Sequence, residues 1–153
     1  MADMTDSDLK IFINAVTNYF AQLTREPATI RAAYLANGAI PHFDYTGLIT
    51  LSGRYRGCVY FSTSGDALRD LLVEFSEPDR QESNLLDAVG EIANTIAGNA
   101  RKHFGKDLDI SVPVTIHGVP EQIKSAVRAR PFAIQLAWAN HDAVVVVDLA
   151  LPG

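Results

Sequence analysis

The feature that most limits the fold of this chain is a long amphipathic run from about Asp79 to Phe104, ended by Gly105. At a helical pitch of roughly 100° per residue, Leu85, Val89, Ile92, Ala93 and Ile96 fall on one side and form a core-facing stripe. Asn84, Asp87, Glu91, Asn94, Gly98 and Lys102 line the other side. Glu91 and Asn94 stand three apart, so a carboxylate and an amide project side by side. Gly90 and Gly98 lie inside the same run, each at a cost of about 1 kcal/mol against alanine. Such a cost is easier to understand where another backbone or a partner surface comes close. Spacing alone suits a solvated helix face at least as well as a site.

A helix of this length needs something to cover, and the rest of the chain supplies strands. A first helix, capped by Asp6 or Ser7 and running to about Leu23, carries Leu9, Phe12, Ile13, Val16 and Phe20 on one face. Residues 28–36 read as a strand, closed by Asn37-Gly38 and Pro41. Asp44–Leu51 and Tyr55–Phe61 form a hairpin around Ser52-Gly53-Arg54. A short helix follows near 65–75, and Pro78 suits the first turn of the long one. Three further strands are expected, at about Leu108–Ile116, Val127–Trp138 and Ala143–Leu149, with an exposed loop over 117–126. Strands joined by hairpins, rather than strict strand–helix alternation, predict an α+β fold: one domain over residues 1–153, with about six mostly antiparallel strands packed against two long helices.

The order of elements also suggests an internal duplication of a helix–strand–hairpin unit. Asn14-Ala-Val in the first helix aligns with Asp87-Ala-Val in the long one. In that register Asn18 falls opposite Glu91 and Ala21 opposite Asn94, so the Glu/Asn pair belongs to the second unit alone.

Composition removes several classes of function. With 153 residues, 48% of them hydrophobic, the chain can bury a real core. Its net charge of −5 and the absence of any basic cluster argue against nucleic acid and favour a partner with a basic patch. Cys58 is the only cysteine, which excludes an internal disulfide. The N-terminus is acidic where a secretory signal begins basic, and no run approaches the roughly 18 apolar residues of a membrane span. The chain reads as soluble and cytoplasmic.

Familiar catalytic chemistry is missing. His42, His103, His117 and His141 are widely spaced, with no cysteine or histidine nearby at ligand spacing, so no metal site is expected. No phosphate-binding glycine loop or nucleophile elbow is present. Ser64-Gly65-Asp66 reads as a helix start, and His117 and His141 as surface residues at turns. Trp138 and Tyr60 read as core or interface. What remains is the long helix. An amide can donate and accept hydrogen bonds, so it can orient a water it cannot deprotonate. Phosphoryl transfer asks for little more than such positioning, and an adjacent carboxylate can pair with a partner's lysine.

Asp87-x3-Glu91-x2-Asn94-x3-Gly98 resembles the D/S-x-x-x-E-x-x-N-x-x-x-G signature of the CheC/CheX/FliY chemotaxis phosphatases. The Phe12-Ile-Asn-Ala-Val16 helix, the Tyr45-Thr-Gly-Leu-Ile49 hairpin and the Gly57-Cys-Val-Tyr-Phe61 strand are similar to CheX-type members. A single copy of the Glu/Asn motif also matches the CheX pattern.

The resemblance implies dephosphorylation of the aspartyl phosphate on a CheY-like receiver domain of a response regulator. Asn94 would orient the water and Glu91 would pair with a receiver lysine. Asp87, Gly98 and Asn84 would complete the partner-binding surface. This chain would bind no cofactor of its own, Mg²⁺ being carried by the receiver. The resemblance further implies a homodimer joined through its sheets, for which the valine-rich last strands are the candidate exposed edge. Two other readings stay open: a non-catalytic adaptor that binds a receiver or motor component through the same helix, and a structural or ligand-sensing domain whose polar helix face is merely solvated.

Overall fold

The computed structural model describes residues 3–37, 39–119, 121, 123, 127 and 131–151. Helix α1 (Asp6–Leu23) is followed by strands β1 (Thr29–Leu35), β2 (Tyr45–Gly53) and β3 (Arg56–Thr63). Helices α2 (Gly65–Glu74) and α3 (Glu82–Phe104) come next, then β4 (Leu108–Ile110), β5 (Val114–His117), β6 (Phe132–Trp138) and β7 (His141–Ala150).

Local chemistry sets most of these ends. Thr5, not Ser7 or Asp6, caps α1: its hydroxyl accepts from the Asp8 N–H while the Asp8 carboxylate accepts from the Thr5 N–H at 2.9 Å. Ser64 caps α2 by accepting from the Ala67 N–H, as expected of a helix start. Gly105 ends α3 at φ 92°, a left-handed cap that glycine adopts without strain. The start of α3 is later than the sequence suggests. Asp79 accepts from the Gln81 N–H through its side chain and from the Asn84 amide through its carbonyl, so Pro78 sits in a separate turn before Gln81.

The expected strand over 108–116 is two strands. Ser111 turns its N–H to the Thr50 carbonyl, and Pro113 has none to offer, so β4 and β5 pair with opposite ends of β2. Strand β6 begins at Phe132 rather than Val127, whose N–H bonds to the Ile123 carbonyl. The expected loop over 117–126 lies partly outside the described residues. Within it Val119 is exposed but Ile123 is buried, so the segment covers core instead of standing clear of it.

Among the described residues the strands form one antiparallel sheet in the order β1-β6-β7-β3-β2-β4, with β5 also on β2. That order is a palindrome of the two units. Hairpins β2–β3 and β6–β7 meet at the centre, and the first strand of each unit lies on the hairpin of the other. The valine-rich β7 is therefore central, bonded to β3 and β6, and all of Val144–Val147 is buried. It cannot serve as the exposed edge; the edges are β1 and β4–β5.

Alternation along the strands sends side chains to two cores. Ile49, Val59, Phe61, Ile134, Val145 and Val147 meet all three helices on one face. Leu48, Cys58, Tyr60, Ala133, Val144 and Val146 meet Ala36, Ile123 and Val127 on the other. Helices α1 and α3 are neighbours on the first face, and the Phe12–Phe104 ring contact, centroids 5.9 Å apart, brings the start of one to the end of the other.

Candidate functional site

Helix α3 is seated on β2 at Gly47. A methyl group there would fall 2.4 Å from the Val89 carbonyl oxygen and 3.1 Å from the Ala93 side chain, so only glycine lets the helix lie this low. Val89 and Ala93 are thus the underside of α3. At about 100° per residue, Glu91 stands roughly opposite them, on the crest of the helix away from the sheet.

Gly90 marks one flank. A methyl at Gly90 would come within 2.8 Å of the Thr115 methyl and 3.4 Å of Pro113, so β5 presses against the helix there. Asn94 lies about 60° round from Glu91 toward that flank, while Asp87 and Gly98 lie within about 40° of the crest. Asp87, Glu91 and Asn94 are exposed; Asn84 and Gly98 are half-buried.

The expected site residues accordingly share one ridge, with differences in detail. The Asn84 amide is engaged, donating to the Asp79 carbonyl at 2.9 Å. The side chains of Asp87, Glu91 and Asn94 make no hydrogen bond or ion pair to another described residue. Thr95 binds only the Glu91 backbone carbonyl, at 2.9 Å. Gly98 is unlike Gly90: a methyl there would meet nothing within 4 Å, so packing inside this chain does not require glycine. Two carboxylates that form no ion pair with a described residue make the crest electronegative, which favours a cationic partner group. The Asn94 amide beside them can hold a water by donating and accepting, and can take no proton from it. Among the described residues no three His, Cys, Asp or Glu side chains are grouped as metal ligands.

Two features of this region escape a reading of the sequence. Tyr19 on α1 is buried, and burial followed by the nearby Glu91 charge raises its hydroxyl pKa above the ordinary 10.0. Its place one turn after Val16 on the buried face of α1 was the available signal. At the start of α3, Glu82 accepts a hydrogen bond from the Tyr45 hydroxyl at 2.8 Å and pairs with His117 Nδ1, whose ring stacks on Tyr45 at 4.1 Å. This triangle ties the first turn of α3 to β2 and β5. His117 is therefore exposed, as expected, but partnered. His141 is also partnered: its side chain is 19% exposed, and Nε2 lies 2.6 Å from Asp70.

Residues 45–137 match the family model described as chemotaxis phosphatase CheX. No curated protein matches by sequence. Among solved structures, a chemotaxis protein from Desulfovibrio vulgaris Hildenborough is 20% identical, with a TM-score of 0.79 over 98% of this chain and 100% of that one. CheX from Vibrio vulnificus is 18% identical, with a TM-score of 0.75 over 94% and 99%. A chain of the CheX–CheY–BeF3–Mg²⁺ complex from Borrelia burgdorferi is 16% identical, with a TM-score of 0.71 over 92% and 96%. These likenesses carry the α+β fold.

Proposed function

Because the chain belongs to the chemotaxis phosphatase CheX family, we propose that it dephosphorylates the aspartyl phosphate of a CheY-like receiver domain. The observation that carries this reading is the exposed Glu91–Asn94 pair on the crest of α3, lacking partners among the described residues and presented on a ridge rather than in a pocket. A ridge cannot enclose a small substrate; it can complete a site held mostly by another protein. That a solved relative was crystallised with CheY, BeF3 and Mg²⁺ supports a receiver as that other protein.

In this scheme the Asn94 amide orients a water in line with the acyl phosphate. The water oxygen bonds to phosphorus as the bond from phosphorus to the aspartyl oxygen breaks. The aspartyl carboxylate leaves as the anion, a charge that Mg²⁺ held by the receiver would offset, and the water's protons pass to phosphate and solvent. No group of this chain needs to change protonation, which suits an amide. Glu91 pairs with a cation on the receiver and sets the register, and Asp87 adds to the attraction. Gly98 leaves room for the receiver to approach the helix. Asn84 holds the turn leading into α3 and stands at the margin of the surface. The work is cytoplasmic, where receiver domains signal, and the protein acts as a homodimer joined at a sheet edge.

The test is phosphate release from a panel of purified, phosphorylated receiver domains with and without this protein. Acceleration with at least one receiver is expected. Binding without acceleration would favour the adaptor reading, and neither binding nor acceleration across the panel would end the proposal.

A further inference from the structure

Strands β5 and β4 run alongside α3 in the opposite direction, and three contacts fix the match. Glu82 pairs with His117, Gly90 lies against Pro113 and Thr115, and the Arg101 side chain donates to the Leu108 carbonyl at 2.7 Å. The eleven steps from Gly90 to Arg101 rise about 16 Å in a helix. The five steps from Pro113 to Leu108 span about the same length of extended chain. Val112, one step from Pro113 toward Leu108, therefore stands within one turn of Asn94, on the flank to which Asn94 turns.

Register explains how Val112 comes to be there. Ile110 is opposite Leu51 and Val114 is opposite Leu48, so this edge uses one residue more than β2 between the two pairs. Ser111 is held to Thr50: its N–H donates to the Thr50 carbonyl, and its hydroxyl accepts from the Thr50 N–H at 2.9 Å. Val112 and Pro113 are left to share Ile49, a bulge of the kind that re-aims a side chain. Ile49 lies in the core beneath the helices, and Pro113 meets α3 at Gly90. Val112 finds no such cover. It is 82% exposed, more than any other large hydrophobic residue among those described.

The ridge beside it carries polar side chains, those of Asn84, Asp87, Glu91, Asn94 and Lys102. Charges steer a partner and set its register, but the centre of a stable interface is apolar. We propose that Val112 is a further docking residue: it packs against an apolar group of the phosphorylated receiver next to the acyl phosphate, and so seats the receiver with Asn94 at the phosphoryl group. This rests on the reading of α3 as the ridge on which the receiver docks.

The experiment is phosphate release from phosphorylated receivers by wild type, Val112→Ser, Val112→Ile and Val119→Ser. Val119 is an exposed valine past the far end of β5 and serves as the control. KM is expected to rise about 5- to 30-fold in Val112→Ser, the size of covering much of one valine. It should stay near the wild-type value in Val112→Ile and Val119→Ser, and all melting temperatures should hold. Added salt should leave the Val112→Ser effect in place while shrinking that of Glu91→Gln, because screening weakens a charge pair and not an apolar contact.

An unchanged KM in Val112→Ser, an equal rise in Val119→Ser, or an effect that fades with salt overturns the proposal and leaves the functional reading standing. A lowered melting temperature with kcat and KM both impaired would mark a merely structural valine and overturn it too. If wild type accelerates phosphate loss from no receiver, the functional reading has failed and the docking role falls with it.

Discussion

Glu91 and Asn94 differ in what they can contribute, and their variants should separate. An amide that orients water acts in the transition state and little in the ground-state complex. Asn94→Ala should therefore cut phosphate release by roughly 100-fold, the scale of losing one positioned polar group, while receiver affinity stays nearly constant. Glu91→Ala should weaken affinity as well, because it strands a cation on the partner. Both side chains stand on the crest of α3, exposed and off the core stripe, so melting temperatures should hardly move. Phosphate-release rate, complex affinity and melting temperature are the three readings. Full activity in folded Asn94→Ala would remove it from the mechanism.

At the scale of the element, α3 is a helix pinned at two points and open along a third line. Gly47 beneath it and β5 beside it leave no room for a methyl at either contact, whereas Gly98 faces open space. The two helix glycines should therefore respond in opposite ways. Gly90→Ala pushes on Thr115 and should destabilise the fold by about 1–3 kcal/mol, as overpacking does. Gly98→Leu should stabilise it by up to about 1 kcal/mol through helix propensity, yet lower receiver affinity at least tenfold by standing in the partner's way. Thermal melts and a binding titration on both variants decide the matter. Unimpaired binding by Gly98→Leu would place the docking surface elsewhere.

Taken as a whole, the molecule is a sheet with a core on each face, and each core holds a tyrosine it must keep neutral. Tyr19 lies on the helical side; Tyr60 lies on the other, donating to the Pro41 carbonyl at 2.5 Å. Burial is the main cause of a raised pKa at both. A folded pKa above the unfolded 10.0 stabilises the protein fully below pH 10 and loses that contribution as pH climbs further. Stability should hence be flat near pH 8–9 and fall beyond pH 10 by about 1.4 kcal/mol per pH unit for each tyrosine. Urea midpoints from pH 8 to 11 test this, and a flat profile to pH 11 would contradict it. Association is the other property of this scale. With β7 buried at the centre, a dimer would have to form at β1 or β4–β5, and β1 exposes Tyr34 and Leu35. Sedimentation should show a dimer at micromolar concentration that Leu35→Lys weakens; monomer alone would refute it.

How far the sequence reaches is visible in particular residues. The division of α3 into an apolar stripe and a ridge bearing Asp87, Glu91 and Asn94 was legible because helical period is a local property, set by side chains within two turns of one another. The stop at Gly105 and the start at Ser64 were legible for the same reason. The palindromic sheet order accords with the duplicated unit, whose pattern recurs along the chain. What only the tertiary structure decided are the facts that depend on distant pairing. Val144–Val147 reads as an edge strand by its composition, but it is central because β3 and β6 both bond to it. Gly90 reads as a place where another backbone or a partner comes close, and only the fold decides between the two: Pro113 and Thr115 of this chain press on the helix there. Tyr19 is not among the residues the helical period assigns to the core face of the first helix, yet it is buried in the core shared with α3. Period and capping act over a few residues, whereas strand order and helix contacts are chosen by the burial of the whole chain, and no local pattern encodes them.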